Sequence, residues 1–383
     1  MTDVLIYADT FRSPELRQEV PIGIPDPFLY AEKGGVKHIQ IGSMEIPRLS
    51  ELGMFELHPG EEYGLDELYA SGLSYEAVRR EIVVRAVKKL GITAAAVPDT
   101  FPLWLADRLR AEGVELTVDS SVFRDRRRVK NEAQLAGIRR AQRAAEAGMD
   151  AARDLLRRAR ESDQGDGQGG LAVDGEPLTV ERVKAAMAVA FAANGTTADD
   201  FIVAPGPQGA VGHDMGSGPI RAGVPIVIDI WPRDNESFCF CDMTRTFVVG
   251  EVPDDVREWH RLCKEALDRA VGEIRDGADG RAIFDGTCEI FEAAGEPTQR
   301  TKTPGEPLAD GFFHGLGHGV GLEVHEPPGM GRASELPLQT GDVVTVEPGL
   351  YRQGYGGVRL EDLILVKPDG AESLTQYPYD LAP

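Results

Sequence analysis

Apolar positions recur along this chain with two periods. In residues 1 to about 125, the short runs VLIYAD (4–9), HIQIGS (38–43), AAAVPD (94–99) and VELTVD (114–119) read as strands. Between them SYEAVRREIVVRAVKKLG (74–91) repeats its apolar residues every three or four positions, as a helix does. These runs describe an α/β unit in its own right. RDRRRVKN (124–131) reads as a basic, polar joint. After it, Leu135, Ile138, Ala141, Ala145, Met149, Ala152 and Leu156 form one apolar stripe, which predicts a helix of about eight turns. ESDQGDGQGGLAVDGEP (161–177) is rich in Gly and Asp and poor in large apolar groups. It reads as a mobile surface loop, and its acids lack the ligand spacing of an EF-hand. A helix is expected from Thr179 to Gly195, a cap and a stop. Then DFIVAP, PIVIDIW, FCFCDMTRTFVV, DVVTVEPGLY and GVRLEDLILV read as strands, interrupted by helices near 254–276 and 281–294. The expectation is an α+β catalytic domain at 129–383, preceded by a smaller α/β domain at 1–128.

Composition narrows the classes. A chain of 383 residues exceeds what one core usually supports, in keeping with two domains. Its net charge of −22, from 63 acidic and 41 basic residues, argues against a nucleic-acid partner, whose phosphates need basic patches. No stretch approaches the ~20 apolar residues of a membrane helix. The first residues, MTDVLIYADTFRS, lack the pattern of a signal peptide. Cys239, Cys241, Cys263 and Cys288 are too few and too clustered for a secreted disulfide framework, so a reducing cytoplasm is the expected compartment. In FCFCD, a strand would turn both cysteines away from Asp242, and they read as core thiols rather than metal ligands.

The chemistry is concentrated in the second half. Three of the seven histidines, His314, His318 and His325, fall within GFFHGLGHGVGLEVHE (311–326). Asp229 and Asp242 lie in two β-like runs that a hairpin would bring to one face, and Glu347 and Glu361 sit among apolar strand residues. Each acid alone is most simply a solvated or salt-bridged group. Together they are costly inside apolar strands unless they hold a metal. Four carboxylates balance two divalent cations, whereas one ion would leave repulsion uncompensated. Gly317, Gly319 and Gly321 need serve only turns or close strand packing. His38, His58 and His260 fit no constellation and read as structural or exposed.

DMTRT, HGLGHGVGLEVHE, VEPGLY and VRLED, in this order, resemble the pita-bread metallopeptidases of the prolidase and aminopeptidase P branch. The resemblance covers about residues 131–383, and the preceding 130 resemble the creatinase-type N-terminal domain of that branch. It implies Asp229 as a ligand of one metal, Asp242 and Glu361 as bridging ligands, and His318 with Glu347 on the second metal. It further implies that a water or hydroxide shared by the ions is the nucleophile and that Glu347 shuttles its proton. His213 and His325 would face the substrate carbonyl, and His314 would be a further pocket histidine. Arg359, two residues from Glu361 and on its face, would orient that carboxylate. The ions implied are two divalent cations, manganese first, with cobalt, zinc or iron as alternatives.

The expected reaction is hydrolysis of the bond between an N-terminal residue and proline in dipeptides or short peptides, by a homodimer. The alternatives are an aminopeptidase or amidohydrolase without proline specificity, and a non-catalytic peptide-binding protein. Arg332, the one basic residue between His325 and Glu347, either binds the carboxylate of a dipeptide or is solvated. The chain departs from the family pattern at DIWPR, where Trp231 either narrows the site or covers the hairpin.

Overall fold

The computed structural model describes residues 2–162 and 169–383. The chain divides into two compact units, Met1–Arg127 and Arg128–Pro383.

The first unit is built on a six-stranded mixed sheet in the order Glu56–Pro59, Val36–Ile41, Phe28–Lys33, Val4–Ala8, Ala94–Val97, Glu115–Val118. Two of these strands, Phe28–Lys33 and Glu56–Pro59, are additional to those read from the sequence. FLYAEK buries its first four residues in succession, so it shows no period-2 alternation to find. ELHP is a short edge strand closed by proline. The helix Tyr75–Lys89 starts where expected, because the Ser74 hydroxyl accepts from the Ala77 N–H. It buries Val78, Ile82, Val83, Ala86 and Val87 against the sheet residues Leu5, Leu29 and Ala95.

In the second unit the helix Glu132–Arg158 opens with a capping box between Asn131 and Gln134. Its expected stripe is buried from Ile138 to Leu156, with Leu135 half-buried at the start. It packs on the helix Val180–Ala193, and a Cβ at Gly148 would lie 2.2 Å from the Phe191 ring, so glycine sets how closely the two approach. A second helix pair is Asp254–Glu273 with Gly280–Ala293.

Between the pairs lie an antiparallel three-stranded sheet (Ile202–Pro205, Ile226–Ile230, Met243–Phe247) and a five-stranded sheet in the order Glu326–Met330, Gly317–Gly319, Val343–Val346, Asp362–Lys367, Gly370–Ser373. Alternation along single strands explains the layering. Val343, Leu363 and Leu365 enter the core of the first helix pair, while Val344, Val346, Ile364 and Val366 enter that of the second. Covered on both faces, these strands read as unbroken apolar runs.

One expectation changes, and the joint at 124–131 takes a definite form: the helix Ser120–Arg128 runs into it, and Arg128 is buried with Nε and Nη2 each donating to Asp342 at 2.8 Å. Lys130 is likewise buried, in an ion pair with Glu326. Of the expected loop at 161–177, residues 163–168 lie outside the described residues. The rest is not simply loop, because Arg160–Glu161, Leu171–Val173 and Glu176–Pro177 form a three-stranded sheet. Leu171 and Val173 are buried in the first core, where two apolar side chains outweigh the polar composition around them.

Candidate active site

Antiparallel pairing of Ile226–Ile230 with Met243–Phe247 sets Asp229 opposite Thr244. Asp242 immediately precedes the second strand, so strand order begins at Met243 and not within FCFC. Cys239 and Cys241 are buried in the connection, and burial pushes the Cys239 thiol up to about 11. Neither fits a thiolate ligand.

The two glutamates do not sit within strands either. Glu347 falls between Val343–Val346 and Gly349–Arg352, and Glu361 between Gly356–Arg359 and Asp362–Lys367. At Glu347 the chain leaves the five-stranded sheet for the two-stranded ribbon formed by Gly349–Arg352 and Gly356–Arg359, and at Glu361 it returns from that ribbon to the sheet. A single bridge between Thr244 and Glu361 joins the three-stranded sheet to this break. Breaks in strand pairing re-aim side chains, and these point the acids at one another.

The distances define a centre. Ligand atoms of Asp242, His318 and Glu361 all lie within 4.8 Å of one another. His318 Nε2 is 3.7 Å from Asp242 Oδ2 and 3.6 Å from Glu347 Oε1. His318 Nδ1 lies 3.1 Å from the Gly319 carbonyl, which assigns the proton to Nδ1 and leaves the Nε2 lone pair facing the acids. Its backbone is tied to Thr345 Oγ1 at 3.1 Å.

Burial makes this cluster electrostatically strained. Desolvation, then the charges of Glu361, Asp229 and Glu347, push Asp242 well above the usual carboxylate range. Desolvation with Glu347 and Asp229 does the same to Glu361. Glu347 rises to about 8, by desolvation and the charge of Asp229. His318 falls to about 4 by desolvation and the proximity of His325, so it is neutral at pH 7 and able to ligate. Asp229 Oδ1 and Asp242 Oδ1 are buried without a hydrogen-bond partner. Such orphaned oxygens are unfavourable unless a cation meets them, and this donor set of carboxylates with one neutral imidazole fits divalent metal.

Arg359 is placed differently from expectation. Its Nη2 donates to Asp229 Oδ2 at 2.6 Å, and it reaches Glu361 only through Thr244: Nε lies 3.4 Å from the Thr244 hydroxyl, which donates to Glu361 Oε2 at 2.6 Å. It therefore orients Asp229 directly. Arg359 Nη1 also donates to Tyr351 Oη at 2.8 Å, and Tyr351 Oη is 2.9 Å from His314 Nε2. With His314 Nδ1 2.7 Å from the Gly315 carbonyl, both imidazole nitrogens are engaged within the chain. His314 is thus a fixed ring, held neutral by burial and by Arg359, whose combined effect lowers it to about 3.

His325 is exposed, with its ring centroid 4.3 Å from that of His318. His213 is also exposed, and its charge opposes protonation of both His314 and His325. Arg332 is exposed, with Nη1 3.4 Å from Gln299 Oε1, and Gln299 in turn donates to the Phe313 carbonyl at 2.5 Å. Trp231 is half-buried against the first core.

Sequence reasoning passed over Thr244, Tyr351 and Arg245. Arg245 is fully buried, donating to the Glu361 carbonyl at 2.8 Å and to Asp362 at 3.0 Å, so it braces the backbone that carries Glu361. A signal was available, since all three lie inside the quoted motifs DMTRT and VEPGLY. His38 and His58, read as isolated, stand side by side in the first unit with Nδ1 and Nε2 3.1 Å apart.

The family model for metallopeptidase family M24 matches residues 136–368. An Xaa-Pro dipeptidase of Pyrococcus furiosus is 36% identical over 183 residues, 48% of this chain and 49% of that protein, so the match spans about half of that relative. An Xaa-Pro dipeptidase of Pyrococcus horikoshii is 29% identical over 330 residues, 82% of this chain and 85% of that protein. Among solved structures, an X-Pro aminopeptidase from Thermotoga maritima superposes with a TM-score of 0.79 at 23% identity, covering 99% of this chain and 97% of that one. That likeness bears on the fold, a pita-bread domain preceded by an N-terminal domain. With the family match extending over most of the chain and enclosing the buried acids and His318, the chain belongs to metallopeptidase family M24.

Proposed function

We propose that this protein hydrolyses the peptide bond between an N-terminal residue and proline, with Xaa-Pro dipeptides as the substrate class. The observation that carries this reading is the buried convergence of Asp242, His318 and Glu361, flanked by Asp229 and Glu347, with two carboxylate oxygens lacking partners. Support for the proline preference comes from the Xaa-Pro dipeptidases among the relatives. Two divalent cations, manganese before cobalt, zinc or iron, would be held by Asp229, Asp242, His318, Glu347 and Glu361. Oxygen-rich ligands favour that choice, and four carboxylates call for two ions. Bound there, they supply Lewis acidity and lower the pKa of an attacking water.

The chain's own residues do the rest. Arg359 holds Asp229, and Thr244 with Arg245 holds Glu361, so the acids are arranged before substrate arrives. Glu347, whose ionised carboxylate would lie beside His318 Nε2 at 3.6 Å, takes a proton from the attacking water and delivers it to the departing prolyl nitrogen. That nitrogen must be protonated to leave as a secondary amine. His213 and His325, both exposed, would donate to the carbonyl oxygen as it becomes tetrahedral. Proline lacks an N–H and has a fixed φ, so a site shaped for it discriminates against ordinary peptides.

On the same family reading the protein is a cytoplasmic homodimer. Four buried free cysteines suit a reducing compartment, and no helix among the described residues is long and apolar enough to cross a membrane. The deciding experiment is a panel of Xaa-Pro dipeptides, Xaa-Pro-Yaa tripeptides and proline-free controls after manganese loading, with bound metal counted by elemental analysis. Two metal ions per chain and preferential release of proline are expected. Equal cleavage of the proline-free controls would replace this reading with a general aminopeptidase.

A further inference from the structure

The first unit carries a second cluster of metal-binding side chains. His38 lies on Val36–Ile41, and Glu56 and His58 on the neighbouring parallel edge strand Glu56–Pro59. Register sets His38 opposite Glu56, and the two-residue step from Glu56 to His58 keeps all three on one face. His38 Nδ1 is 3.1 Å from His58 Nε2 and 3.4 Å from Glu56 Oε2. Ligands ~2.0–2.1 Å from a tetrahedral zinc stand ~3.3 Å apart, so these separations match those around one ion. The other side of His58 is also arranged, since its Nδ1 lies 3.2 Å from Glu62 Oε2 and Lys89 Nζ is 3.5 Å from the same carboxylate oxygen. A carboxylate on Nδ1 fixes the tautomer that presents the Nε2 lone pair, as in carboxylate–histidine–zinc triads.

We propose that His38, Glu56 and His58 form a zinc-class metal site on the N-terminal unit, oriented by Glu62 and separate from the catalytic centre. A single proton on His38 Nδ1 satisfies only one of the two acceptors that converge on it, whereas a cation satisfies His38, His58 and Glu56 together. The histidine side chains are mostly buried, at 13% and 17% exposure, while Glu56 is 64% exposed, so the cluster is preformed yet open to an arriving ion and to a water in the fourth position. Its effect is to clamp the outermost strand, four residues long, to its neighbour. An unclamped edge strand is the part of a sheet most prone to fraying or mispairing.

The test uses the full chain, stripped of metal and equilibrated by dialysis with zinc at a series of free concentrations, with bound zinc counted per chain. The unmodified chain should bind one more equivalent than His38→Gln/His58→Gln. Glu56→Gln and Glu62→Gln should weaken that one equivalent by ~10–100-fold while the remaining equivalents keep their affinity. Xaa-Pro hydrolysis after manganese loading should be unchanged in all of these variants, which separates this site from the catalytic reading. Should the double histidine variant fail to fold by circular dichroism, the exposed Glu56→Gln decides alone. Equal zinc stoichiometry and affinity in the unmodified chain and Glu56→Gln would overturn the proposal and leave a plain histidine–histidine hydrogen bond.

Discussion

At the scale of the residue, the proposed roles separate holding metal from moving a proton. Asp242 and Glu361 are buried among like charges, and on the proposed assignment removing either carboxylate takes away a metal ligand. Asp242→Ala and Glu361→Ala should each lose bound metal and at least ~100-fold in kcat/KM, more than the loss of a ligand's supporting partner. Glu347→Gln keeps a coordinating oxygen but has no titratable proton. Its kcat should fall ~10²–10⁴-fold with metal content retained. Equal metal loss in all three variants, measured by elemental analysis, would leave Glu347 with no separate proton-transfer role. Arg332 tests peptide length. It is exposed beside Gln299, close to the backbone that leads into His314. If it receives the free carboxylate after proline, Arg332→Ala should raise the KM of Xaa-Pro dipeptides by ~10-fold or more, the magnitude of a lost charged hydrogen bond. The KM of Xaa-Pro-Yaa tripeptides should move less than about twofold, and a parallel rise in both would remove carboxylate recognition from its role.

At the scale of the element, the site exists because strands stop pairing where the acids lie. Glu347 and Glu361 occupy the breaks between the five-stranded sheet and the ribbon, and Asp242 precedes its strand by one residue. In the sequence those breaks are hidden, since DVVTVEPGLY and GVRLEDLILV each read as one apolar run although each folds as two strands in different sheets. The acids themselves were legible, because a charge in a run buried on both faces is costly unless it is paired or meets a metal. Which partner Arg359 takes was not legible, because period-2 reasoning works within one strand while Asp229 arrives from another sheet. Phe28–Lys33 escaped notice for a related reason, being buried without alternation. The glycines of the histidine segment prove to be packing residues. A Cβ at Gly317 would stand 2.0 Å from the Thr345 carbonyl oxygen, and one at Gly319 would stand 2.5 Å from that of Glu326. Gly317→Ala must therefore push strands apart and should destabilise by ~1–3 kcal/mol. A Cβ at Gly272, on the helix Asp254–Glu273, would meet no atom within 4 Å, and Gly272→Ala should stabilise by ~0.5–1 kcal/mol. Thermal denaturation of the two variants should move in opposite directions; a shift of the same sign would mean that close strand packing does not set the need for glycine at 317.

At the scale of the whole molecule, metal binding and folding are linked through protons. In the metal-free protein Asp242, Glu347 and Glu361 hold their protons far above the range in which an unfolded carboxylate loses them, Glu347 to about 8. Above pH ~4.5 the folded state therefore binds more protons than the unfolded state, and each excess proton costs ~1.4 kcal/mol of stability per pH unit. Stability that the cluster has in acid is lost as pH rises toward about 8. The histidines act with the opposite sign at lower pH. His314 and His318 are held neutral in the fold, at about 3 and about 4, so folding gains as pH rises to their unfolded value near ~6.5 and nothing further above it. The window from pH ~6.5 to ~8 thus isolates the carboxylates. Cations at the centre replace those protons and remove the penalty, so the melting temperature of the metal-loaded protein should exceed that of the stripped protein by ~5 °C or more at pH ~8. The gap should narrow steadily toward pH ~6.5. A gap that stays constant across this window would mean that the acids are ionised without metal, and no gap at all, with removal confirmed by elemental analysis, would mean that the cluster does not hold the ions on which the proposed hydrolysis depends.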